Sequence, residues 1–122
     1  MGSHPVNLFV RFILELMALA AMGLWAWKQS DSWMRFVLVL GVPIIAAAIW
    51  GTFAVPDDPS RSGAAPIIVS GIVRLAIEFA FFGFAVWIFW NLGYLRLSWI
   101  LGTVIALHYM ISYDRIMWLL RR

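Results

Sequence analysis

The chain contains no cysteine, which removes thiol catalysis, thiolate metal ligands and disulfide scaffolding together. Charge is scarce as well. Only 12% of the 122 residues are Asp, Glu, Lys or Arg and 64% are apolar, whereas water-soluble domains carry about 25% charged residues. That scarcity excludes both an ordinary soluble domain and a disordered chain. The formal net charge of +3 sits mostly at the ends of apolar runs. It forms no basic face or arm of the kind that grips phosphates, so nucleic acid is not an expected partner. Ser-His-Asp spacings, phosphate-cradling glycine loops and zinc motifs are also missing. The expectation is therefore no enzyme, no metal and no cofactor.

Long apolar runs are what the chain has in plenty. Crossing a hydrocarbon core of about 30 Å takes about 20 apolar residues in a helix. Such runs cover about 7–27, 33–55, 67–90 and 97–113. Because they are apolar around the whole circumference, lipid must cover them. The fold expected is an all-α membrane protein, a four-transmembrane-helix bundle forming one membrane domain over 1–122. Met1 to His4 reads as an expression remnant and is set aside. Pro43 inside the second helix predicts a kink near Gly41. Three prolines and a glycine make 56–66 a polar loop, and Gly93 stops the third helix. Past Tyr113 the chain runs through Asp114 and Arg115 into an interfacial tail ending in Arg121 and Arg122.

Lys and Arg are biased to one side. Arg11, Arg61, Arg74, Arg115, Arg121 and Arg122 share the side of the termini, against Lys28, Arg35 and Arg96 on the other. The positive-inside bias then puts the N- and C-termini in the cytoplasm, and Trp25, Trp27, Trp33, Trp87, Trp90 and Trp99 form an aromatic belt at the outer interface.

A shift of 63 positions aligns Val10-Arg11-Phe12-Ile13-Leu14-Glu15-Leu16 with Val73-Arg74-Leu75-Ala76-Ile77-Glu78-Phe79. Each odd-numbered helix thus opens with Arg-x-x-x-Glu. Two parallel-repeat hairpins are expected, repeat 1 over about 5–55 and repeat 2 over about 67–120, joined by the loop 56–66. Residues four apart lie on one helix face. An unpaired charge in the bilayer costs about 2.5–3.5 kcal/mol on insertion scales. Arg11, Glu15, Arg74 and Glu78 should therefore face inward as a neutral network, with Arg11 near Glu78 and Arg74 near Glu15. If Ile67 opens the third helix, Arg74 and Glu78 lie about 10 and 16 Å along its axis, close to the bilayer middle.

Such a network either fixes helix register or marks a proton, ion or substrate path, with Glu15 and Glu78 as carriers. His108 reads as a hydrogen-bonded core residue before it reads as a ligand. Asp57 and Asp58, beside Arg61, read first as solvated turn residues. Small residues at intervals of four, Pro43-Ala47-Gly51 and Ser98-Gly102-Ala106, mark close helix approach.

The Arg11-to-Leu16 opening, Trp50-Gly51-Thr52-Phe53 running into Val55-Pro56-Asp57-Asp58-Pro59-Ser60-Arg61-Ser62-Gly63, Arg74-Leu75 to Glu78 followed by Phe82-Gly83, and Ser112-Tyr113-Asp114-Arg115 carry a resemblance. They resemble the YrdB-type family, small bacterial four-helix membrane proteins classed as a domain of unknown function. The resemblance implies a bacterial cytoplasmic membrane protein and supplies no substrate, cofactor or catalytic residue. It draws attention to Trp50, Asp57, Asp58, Ser60, Arg61, Asp114 and Arg115 as an extension of the intramembrane network on its cytoplasmic side. The leading functional expectation is a small oligomeric transport or permeation protein, a dimer, for a proton-coupled solute or an anion. The alternative is a non-transporting scaffold or accessory subunit that binds a partner membrane protein.

Overall fold

A computed structural model describes residues 4–56, 58 and 66–122. The fold is helical: α1 (Pro5–Trp27), α2 (Met34–Thr52), α3 (Gly71–Asn91), α4 (Leu95–Ile111) and α5 (Tyr113–Leu120), with a minimal pair of strands, β1 (Phe53–Ala54) and β2 (Ile67–Ile68). Among the described residues three helices, α1, α2 and α3, are long and apolar enough to cross a membrane; there are four spans if α4 and α5, bent by 67° at their break, count as one.

Local chemistry sets the helix ends. Residue His4, set aside in the sequence reading, is the N-cap of α1: its Nδ1 accepts from the Val6 amide at 3.2 Å, and Pro5 fills the first turn, where no amide donor is needed. Gly93 takes φ +86° after α3, a left-handed conformation that favours glycine, and the Tyr94 amide returns to the Phe89 carbonyl. α2 carries Pro43 in its interior and runs through it.

Two boundaries differ from the sequence reading by three residues or more. α2 ends at Thr52 and α3 begins at Gly71, because Phe53–Ala54 pairs in parallel with Ile67–Ile68 instead of extending either helix. Pro56 favours an extended Val55, and the pairing ties together the two ends of the intervening loop.

α1 and α3 pack at the centre of the molecule, α2 lies against α1, and α4 lies against α3. Leu14, Ala18, Met22, Phe82, Ala85, Ile88, Leu101 and Leu119 form the buried core. α2 has no buried residue; its Leu40, Ile44 and Ile45 are each more than 60% exposed. α5 folds back on the start of α3. A Cβ added at Gly71 would lie 1.5 Å from the Leu119 carbonyl oxygen, so only glycine admits this contact.

Candidate functional site: a buried cluster around Glu78

Glu78 has no exposed surface. Burial of a lone carboxylate costs several kcal/mol, so it must be matched. Its Oε1 accepts from the Tyr109 hydroxyl of α4 at 2.8 Å and lies 2.9 Å from Arg11 Nη2 of α1. Its Oε2 accepts from Arg74 Nε of α3 at 3.0 Å and from Arg115 Nη2 of α5 at 2.5 Å. Four helices therefore meet at one carboxylate. The Arg11 contact is close but poorly aligned for a hydrogen bond, which leaves it an ion pair in character.

Each arginine also reaches a second structure. Arg74 Nη1 donates to the Trp50 carbonyl and, at 2.8 Å, to the Phe53 carbonyl. These oxygens lie at the C-terminal end of α2, where carbonyls lack helical partners and the helix dipole favours a cation. Arg115 holds Asp58 with a two-pronged grip, Nη1 to Oδ1 at 2.6 Å and Nη2 to Oδ2 at 3.0 Å. With Glu78 on its other side, the Arg115 guanidinium is flanked by two carboxylates. Arg11 lies 3.5 Å from Glu15, which keeps 23% of its side-chain surface exposed. The Trp50 ring carries the Arg74 guanidinium at 4.4 Å and that of Arg11 at 5.2 Å. Such cation–π contacts are worth about 0.5–2 kcal/mol each.

The structure thus brings Arg11, Glu15, Trp50, Asp58, Arg74, Glu78 and Arg115 together. Among the described residues the cluster holds three guanidinium groups and three carboxylates. One expected pairing is different: Arg74 meets Glu78 on its own helix, and the Glu15 ion pair is with Arg11. The (i, i+4) spacing makes that contact local, and the α2 carbonyls occupy the rest of Arg74. Asp58 is buried and paired, not a solvated turn residue. Asp114 lies on the exposed side of α5. Asp57, Ser60 and Arg61 fall outside the described residues. With α3 starting at Gly71, Glu78 lies about 10 Å along its axis, nearer the helix start than the sequence reading placed it.

Sequence reasoning missed Tyr109, Asn7 and Ser112. Asn7 Nδ2 donates to Ser112 Oγ at 2.6 Å, and Asn7 Oδ1 lies 3.1 Å from His108 Nδ1. Polar residues at the ends of α1 and α4 were the available signal. Among the described residues no group of three or more His, Cys, Asp and Glu side chains is placed to hold a metal ion.

The architecture is that of a small helical protein with apolar outer surfaces and one internal ionic cluster. Residues 9–106 match a family model described as "Protein of unknown function (DUF2568)". The chain is 44% identical over 120 residues to "Uncharacterized protein YrdB" of Bacillus subtilis (strain 168), covering 98% of this chain and 97% of that one. The chain belongs to this YrdB-type family of unknown function. No solved structure matches it.

Proposed function

We propose that this protein is an integral membrane scaffold or accessory subunit, in which the ionic cluster locks the helices together and does not conduct. The observation that carries this reading is the state of Glu78: no exposed surface, and contacts from Arg11, Arg74, Tyr109 and Arg115. A proton or solute carrier needs a carboxylate that water can reach. The sequence expectation of transport through Glu15 and Glu78 is better served by Glu15 alone, which retains some exposure but makes one longer contact. A buried ionic group that fixes register is an attested use of such residues.

The exposed apolar surface supports the membrane setting. Ile44, Ile45, Leu107 and Met110 are half or more exposed on helices that carry few charges, and patches of that extent call for lipid or a protein partner. In this reading the termini, α5 and the cluster face the cytoplasm of a bacterial cell, the two hairpins derive from a parallel repeat, and the chain works as a dimer beside another membrane protein. Purified protein in proteoliposomes tests it: no proton or anion flux from the wild type, and co-purification of a second membrane protein, are expected. Flux that Glu78→Gln abolishes without unfolding the protein would establish transport instead.

A further inference from the structure

Two buried nitrogen-bearing side chains remain partly unused after the Glu78 cluster is accounted for. Arg11 and His108 are each 3% exposed, and among the described residues Arg11 Nη1 and His108 Nε2 have no hydrogen-bond partner. They belong to facing helices at one level of the molecule. Asn7, one turn before Arg11 on α1, bonds to His108 Nδ1, while Tyr109, next to His108 on α4, meets Arg11 at the same Glu78 oxygen. Since Asn7 Nδ2 is committed to Ser112, its Oδ1 accepts from His108 Nδ1–H, which leaves a lone pair on Nε2 of the neutral ring.

We infer that the α1–α4 seam binds a small inorganic anion between Arg11 and His108, taken up together with one proton that His108 accepts at Nε2. The charges of the described residues favour the coupling. Among them three guanidinium groups are matched by three carboxylates, so an added anion brings a net negative charge into a region shielded from water. The neighbouring charged groups are Arg11 of α1, which pairs with Glu15 and with Glu78 of α3, and Arg115 of α5, which also reaches Glu78; the Tyr109 hydroxyl donates to Glu78, and its ring lies 5.3 Å from that of His108. None of these can supply the balancing charge, because the guanidinium groups are already cationic and Glu78 is held by them. Protonated His108 supplies it and becomes a second donor to the anion beside Arg11 Nη1. His108 is in the last turn of α4 and Arg11 in the second turn of α1, so the seam is shallow from that end. The inference goes beyond the scaffold reading and does not rest on it.

The test is equilibrium binding of bromide to the full chain in nanodiscs, with gluconate replacing bromide at constant ionic strength. One proton taken up per anion makes the apparent Kd rise tenfold per pH unit between the pKa of His108 in the anion-free protein and its higher pKa in the anion complex. A tenfold slope in the wild type, lost in His108→Gln together with most of the affinity, is the expected result. Bromide binding that does not saturate or is independent of pH, or a slope that persists in His108→Gln, overturns the inference. The slope is measured on the unaltered protein, so a variant that fails to fold leaves the test intact.

Discussion

Replacing Glu78 by Gln removes the charge on which Arg11, Arg74 and Arg115 converge while keeping its shape. The amide retains one oxygen for Arg74 or Arg115, but its NH2 group now faces donors. Breaking a buried ion pair from one side costs about 3–5 kcal/mol, so Glu78→Gln should lower the folding equilibrium by about two to four orders of magnitude. Glu15→Gln is the internal comparison. Among the described residues its ion pair is the 3.5 Å contact with Arg11, its side chain is 23% exposed, and Arg11 keeps Glu78 when that contact is lost, so its cost should fall well below that of Glu78→Gln. Reversible unfolding in bicelles, followed by near-ultraviolet circular dichroism, separates the two. Equal losses for the two variants would refute the reasoning, since burial and partner number would then not set the cost.

Three further outcomes follow from the same geometry. Asp58→Asn removes the charge from the two-pronged contact with Arg115, and hydrogen exchange should rise in α5 while α1 stays protected; unchanged α5 exchange would count against the latch. Gly71→Ala must push Leu119, and α5 with it, away from the start of α3 and cost about 2 kcal/mol or more by the usual scale of overpacking, about 1–3 kcal/mol, whereas Gly51→Ala and Gly83→Ala, with open space around them, should be neutral or stabilising by up to about 1 kcal/mol. Trp50→Leu should cost about 1–3 kcal/mol through loss of two cation–π contacts and ring packing against Phe81 and Phe82; a neutral result in a thermal shift measurement would remove Trp50 from the cluster.

The helices were legible in the sequence because a run of about 20 apolar residues leaves few alternatives, and Gly93 and the break near Tyr113 announced themselves by residue type. The ends of α2 and α3 were not. Phe53 to Val55 and Ile67 to Val69 are apolar, so hydropathy extends the helices through them, whereas the pairing of Ala54 with Ile68 depends on a contact across the loop. Scarcity of charge made Arg11, Glu15, Arg74 and Glu78 visible, yet it could not assign partners. Two arginines and two glutamates at repeated spacing suggest a symmetric exchange; in the fold, Glu78 takes the contacts and Glu15 stays at the edge. Arg115 lies in a segment the sequence placed at the membrane surface, and only the 67° bend after α4 turns it inward. Tyr109 was hidden because a tyrosine in an apolar helix is chemically ambiguous until its hydroxyl partner is known.

The central claim is that lipid covers the outside of these helices while the ions face one another inside, and the absence of native cysteine makes it directly measurable. Single cysteines at Ile44 and Leu107, both exposed on the protein surface, should resist a water-soluble maleimide in sealed proteoliposomes, while one at Ser32 in the α1–α2 connection reacts from one side only. Rapid labelling at Ile44 and Leu107, at the rate seen for Ser32, would show that water bathes those faces and would contradict the account.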